Sequence, residues 1–184
     1  MPNRTETREG DERYFEEDTR TRRVGFDEHL IEEPLSELPT RPPLLFSGRD
    51  SVTDAMRGMQ KEKTGVALIT EDGSAKTRLI GVFTERDVLY RIVDRGRNPA
   101  SLKLSDVMTP DPDVLPADAS IAWVLNKMAV GGFRHVPVVD EDGCPSAVVS
   151  VRDVVLFLVE FFPSAVLNLP SHYEAGHFKD REGA

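Results

Sequence analysis

Two short stretches of this chain hold the residues with chemistry to offer. Thr84-Glu85-Arg86-Asp87 and Ser150-Val151-Arg152-Asp153 each place a hydroxyl three residues before an aspartate, with an arginine between them. A hydroxyl followed three residues later by an acid is a capping box, which satisfies the free N–H groups at a helix start. Capping alone accounts for either copy. Two copies at matched places, each with its arginine, point further. A helix start favours an anion, an arginine fork suits phosphate, and an aspartate, which only accepts hydrogen bonds, suits the paired hydroxyls of a ribose. Phosphate and ribose beside a helix start describe a nucleotide. The apolar residues Val136 and Pro137 offer a donor-free face for its base, with Arg134 beside them, and His135 is a candidate ligand contact or proton switch.

The two stretches belong to a longer duplication, in which each copy must be one supersecondary unit packed on its twin. Gly81 through Leu89 returns as Ala147 through Val155. Upstream, Asp50-Ser51-Val52 through Met59 matches Ala119-Ser120-Ile121 through Met128, and Gly65-Val66-Ala67 through Gly73 matches His135-Val136-Pro137 through Gly143. In this alignment Gly65 and Val66 line the first copy's site, which lacks the proline. Ala147 stands where the first copy has Gly81, and is expected to crowd the backbone near a ligand. Ser150 and Asp153 with His135-Val136-Pro137 form the favoured site.

Periodicity predicts strand, helix, strand, strand, helix in each copy. The first runs through a strand at Leu44-Leu45-Phe46, a helix from Asp50 or Ser51, strands over 66–70 and 79–83, and a helix over 84–94. The second has a strand at Val114-Leu115, a helix over 120–129, strands over 136–139 and 147–150, and a helix over 150–161. A unit of about 50 residues is marginal alone, so the two sheets are expected to pack as one pseudo-symmetric body. The domains read as a charged, largely disordered arm over 1–39, repeats over 40–100 and 101–162, and a tail over 163–184.

Of the 184 residues, 39% are apolar, concentrated after Leu44. Residues 1–33 hold eleven acids and six arginines, and burial there does not offset ordering entropy. Short docking patches are expected near Phe26 to Ile31 and at Ala165-Val166-Leu167-Asn168-Leu169. A net charge of -9 argues against a nucleic-acid partner, whose binding needs a basic surface. A single cysteine, Cys144, and an opening without a secretory apolar region set the expectation of a cytoplasmic protein. The apolar run Val154 to Val159 is too short to cross a membrane. His172, Glu174 and His177 have poor metal-ligand spacing, Cys144 has no paired base, and Trp123 is expected in a core or subunit contact. With no nucleophile beside a base and no Gly-rich phosphate loop, the expectation is neither an enzyme nor a metalloprotein.

The two hydroxyl-x-x-Asp motifs, the linker Val107-Met108-Thr109-Pro110, and Gly132-Phe133-Arg134-His135-Val136-Pro137-Val138-Val139-Asp140 carry a resemblance. Across residues 40 to 162 the chain resembles a tandem pair of cystathionine-beta-synthase (CBS) domains, a Bateman module. The resemblance implies an α/β fold of two pseudo-symmetric β-α-β-β-α repeats packed sheet to sheet. It implies ribose at Asp87 and Asp153, phosphates at the helix starts of Thr84 and Ser150, and adenine against Val136-Pro137. It also implies a flat homodimer formed through helices. The resulting expectation is a stand-alone regulatory module that binds AMP, ADP or ATP between the repeats and signals by a conformational shift to a partner protein in trans. The alternatives are a ligand-free interaction scaffold and a sensor of another adenosyl ligand such as S-adenosylmethionine.

Overall fold

The apolar runs form two small sheets. The computed structural model describes residues 28–161 together with Pro163 and Leu167. Phe26, His172, Glu174, His177 and most of the tail patch lie outside the described residues. β1 (Leu45–Ser47), β2 (Val66–Thr70), β3 (Leu79–Thr84) and β4 (Thr109–Pro110) form one sheet in that order, and β5 (Leu115–Pro116), β6 (His135–Val139) and β7 (Pro145–Ser150) form the other. In each, the first strand lies parallel to the second, and the hairpin that follows is antiparallel. α1 (Val52–Glu62) and α3 (Ile121–Gly131) connect the parallel strands, while α2 (Glu85–Asp87) and α4 (Val151–Phe161) begin where the hairpins end. The expected order of elements is therefore present twice.

Side chains alternate across a strand, and that alternation divides the core into three. Ala67, Ile69 and Phe83 pack against Val52, Ala55 and Met59 of α1. Val136, Val138 and Val149 pack against Ile121 and Val124 of α3 and Val154 and Phe157 of α4. The opposite faces meet in a third cluster, Val66, Leu68 and Leu79 with Val139 and Val148, which joins the two sheets.

Each repeat borrows core residues from the segment that precedes the other. Leu104 and Val107, which lead into the second repeat, are buried in the first repeat's core. Leu35 and Leu38 are 2% and 3% exposed in the second repeat's core. The backbone follows the same exchange, since the N–H of Ile121 donates to the carbonyl of Glu33 (2.9 Å) and that of Val52 to the carbonyl of Leu102 (3.1 Å). These bonds satisfy first-turn donors of α3 and α1. Within the segment read as a largely disordered arm over 1–39, the described residues include two short 3-10 turns, Glu28–Ile31 and Leu35–Glu37, the second anchored in the core. The duplication extends into this segment as Leu35-Ser36-Glu37 and Leu104-Ser105-Asp106.

Three local features also differ from expectation. Val66 pairs with Thr84 while His135 pairs with Ser150, so Val66 is the counterpart of His135, Ala67 of Val136, and Leu68 of Pro137. The alignment anchored on the Asp-Gly turns is one residue out, because Asp72 follows β2 by two residues and Asp142 follows β6 by three. A slip of one residue exchanges the faces of a strand. The helix predicted over 84–94 is α2 running into a π-helical segment, Val88–Val93. There the N–H of Asp94 reaches back five residues to the carbonyl of Leu89 at 2.9 Å. Finally, Gly81 and Ala147 face neither cavity described below. A Cβ at Gly81 would stand 2.6 Å from Met108 Sδ, so glycine admits the linker, whereas Ala147 packs beside the second core.

The exchange predicts that Leu35→Ala destabilises the fold as Leu104→Ala does, by about 2 to 5 kcal/mol each, read as urea-unfolding midpoints. A neutral Leu35→Ala would contradict the anchoring of this segment.

Candidate functional site

Two cavities of similar plan lie between the repeats, with volumes of about 690 and 610 Å³. Both sizes suit a small-molecule ligand. The first is lined by Thr84, Arg86 and Asp87, by linker residues Thr109 and Asp111, and by Arg134, His135 and Pro137 of the second repeat. The second is lined by Ser150, Arg152 and Asp153, by lead-in residues Arg41, Pro42 and Pro43, and by Lys63, Gly65 and Val66 of the first repeat. Each hydroxyl-x-x-Asp motif therefore meets the strand entrance of its twin. Pro137 lines the cavity of Asp87 rather than that of Asp153, and Val136 lines neither because it faces the second core. That corrects the grouping expected from sequence and follows from the two-residue period of β6. Gly65, Val66, Arg134 and His135 border both cavities.

The two motifs are closed alike. Asp87 Oδ2 accepts from Thr84 N (2.9 Å) and Thr84 Oγ1 (2.7 Å), while Asp87 N donates to Thr84 Oγ1 at 3.3 Å. Asp153 Oδ2 accepts from Ser150 N and Oγ, both at 2.7 Å, while Asp153 N donates to Ser150 Oγ at 3.3 Å. The capping role read from the sequence is thus real at both, and it uses one oxygen of each carboxylate. The second oxygens differ. Asp87 Oδ1 pairs with Arg91 Nε at 3.1 Å and accepts from Thr109 Oγ1 at 3.4 Å. Asp153 Oδ1 has no partner among the described residues. No sealed side-chain oxygen among them lacks a partner, so this atom is open to the cavity that its residue lines.

Charge separates the cavities as well. The first balances Arg86, Arg91, Arg95 and Arg134 against Glu85, Asp87, Asp111 and Asp113. The second sets Arg41, Lys63, Arg134 and Arg152 against only Glu62 and Asp153. An anion therefore gains more in the second. Arg41, Lys63 and Arg91 do not stand out in the sequence, because they lie outside the duplicated motifs and reach the cavities only through the lead-in, the end of α1 and the π turn, while Thr109 was legible only as part of the linker motif. The one available signal was the upstream extension of the repeat. Among the described residues no cluster of His, Cys, Asp or Glu is placed to hold a metal, and no helix is long and apolar enough to cross a membrane. Desolvation and the carboxylates of Asp140, Asp142 and Glu71 push the Cys144 thiol up, which disfavours the thiolate.

His135 stands between the two cavities, and the missing side chain of Gly65 makes room for it. A Cβ at Gly65 would lie 3.1 Å from His135 Cε1. Burial lowers the imidazole below its ordinary value, against the pull of Glu85 and Asp153 and with the help of Arg134. A depressed histidine costs stability once the unfolded chain takes up a proton that the native ring refuses. Its stability effect is therefore absent above about pH 6.5 and grows as pH falls through that value. Urea midpoints should fall between about pH 7.5 and about pH 5.5, and His135→Gln should remove part of that fall. An identical fall in the variant would contradict the burial of a neutral ring.

Comparison with known proteins agrees with this geometry. The sequence profile of the CBS domain family matches residues 35–94 and again residues 104–160. The chain is 28% identical over 130 residues, 70% of its length, to the CBS domain-containing protein CBSX3, mitochondrial, of Arabidopsis thaliana, and spans 62% of that relative. Among solved structures, a CBS domain protein from Pyrobaculum aerophilum complexed with AMP superposes with a TM-score of 0.61 at 26% identity, covering 71% of this chain and 98% of that one. A CBS domain pair in complex with 5′-methylthioadenosine and S-adenosyl-L-methionine shares the fold, with a TM-score of 0.61 at 18% identity over 70% of this chain and 97% of that one. The cores, the two capping boxes and the paired cavities are those of a tandem repeat, and the chain belongs to the CBS domain family.

Proposed function

We propose that this chain is a regulatory CBS pair that binds an adenine nucleotide in the cavity of Ser150 and Asp153. The observation that carries the reading is the open Oδ1 of Asp153 beside four cationic side chains and only one further carboxylate. An unpartnered carboxylate oxygen accepts from ribose hydroxyls, and Arg152, Lys63 and Arg41 suit phosphates. Val66, Val148 and Pro43 provide the apolar surface that a base needs. The Pyrobaculum protein solved with AMP supports the same class of ligand, and CBS pairs as a group are regulatory modules. AMP, ADP and ATP all satisfy this chemistry.

The cavity walls come from both repeats, so a bound nucleotide favours one relative orientation, and a partner protein that reads that orientation receives the signal. The function is binding rather than catalysis. A second copy of the chain is the natural cover for the helices' outer faces, where Trp123 is 60% exposed, and sedimentation of Trp123→Glu as a monomer tests that contact. The lone cysteine suits a reducing compartment such as the cytoplasm.

Isothermal titration with adenosine, AMP, ADP and ATP tests the reading. The phosphorylated ligands should bind more tightly than adenosine, and Asp153→Ala should weaken AMP about tenfold or more. Equal binding of adenosine and AMP would remove the phosphate assignment. No heat with any of them at millimolar concentration would leave the ligand-free scaffold.

A further inference from the structure

The two motifs are not equally available, and the cause is one residue in the π turn. After Asp153, α4 buries Val154 and Phe157, the latter four residues on; after Asp87 the buried position is Ile92, five residues on. The wide turn thus holds one residue more than α4, and π turns of this kind collect at functional sites. Arg91, which aligns with Phe157 in sequence, is released from the core position. Its guanidinium turns back on the motif and the linker. Nε pairs with Asp87 Oδ1 at 3.1 Å, Nη1 donates to the carbonyl of Val107 at 2.9 Å and to that of Met108, and Nη2 donates to Thr109 Oγ1 at 2.9 Å.

From this we infer that Arg91 is a built-in occupant of the first ribose position, so that the wild-type chain takes one adenine nucleotide, at Asp153, and the Asp87 cavity stays closed to it. The inference rests on the nucleotide reading above. A ribose at Asp87 must displace the guanidinium from Oδ1, and the same guanidinium is tied through three further bonds to the segment that crosses Gly81. Competition at the first site is therefore with a multidentate internal partner, whereas at Asp153 no described residue hydrogen-bonds the second carboxylate oxygen. Arg91 sets the stoichiometry and holds the linker at once.

Titration of the full chain with AMP by calorimetry reads this directly. The wild type should bind one AMP per chain, and Arg91→Ala should bind two, with the added site lost in Arg91→Ala/Asp87→Ala. Circular dichroism checks that the variants fold. A second readout needs no loss of the arginine: the Arg91 Nε–H resonance, assigned through Arg91→Lys, should keep its position through AMP saturation of the wild type. One AMP bound by both wild type and Arg91→Ala, or two bound by the wild type, would overturn the inference and leave the nucleotide reading standing; a displaced Arg91 resonance at the first equivalent would overturn the inference and move the nucleotide from the Asp153 cavity to the Asp87 cavity. Absence of AMP binding to both proteins would overturn both.

Discussion

The structure depends on an exchange of hydrophobic residues between repeats that are too small to close their own cores. Leu104 and Val107 complete the first core and Leu35 and Leu38 the second, while Val66, Leu68, Leu79, Val139 and Val148 join the sheets face to face. A small domain buries too little surface to stand alone, and borrowing two leucine-sized side chains is a large fraction of its net stability. The exchange has a geometric result. Each lead-in must cross the motif end of the other repeat's hairpin, as Thr109 does beside Val82 and Arg41 beside Val148. The cavities are thereby lined by both repeats, so that a ligand bound there would contact both.

Symmetry of the backbone does not extend to the chemistry. Both capping boxes use one carboxylate oxygen, and what meets the other oxygen differs: an arginine from a π turn at Asp87, open cavity at Asp153. The linker adds Asp111 and Asp113 to the first cavity, whereas the lead-in adds Arg41 to the second. His135 and Gly65 stand between them and share one volume. Duplication supplied two similar frames, and a few side chains outside the repeat pattern decide which frame suits an anionic ligand.

Much of this was legible in the residues. The two capping boxes, the order of elements and the sheet-to-sheet packing follow from spacing and apolar periodicity that local physics enforces. The faces of β6 were harder, because aligning the Asp-Gly turns shifts the strand by one residue and exchanges Val136 with its neighbours. Leu35 and Leu38 lie among charges and prolines, and their burial depends on a distant core. Arg91 carries no local signal, since whether a helix adopts a wide turn depends on tertiary contacts such as those of Ile92 and the linker carbonyls.

One carboxylate of the pair keeps an oxygen without a partner among the described residues, and the other spends both on the protein itself. A crystal structure of the full chain grown with AMP tests this difference most directly. The expected result is ribose hydroxyls on Asp153 Oδ1 with Arg91 still paired to Asp87. Ribose on Asp87 with Arg91 displaced, or AMP bound away from both aspartates, would contradict it.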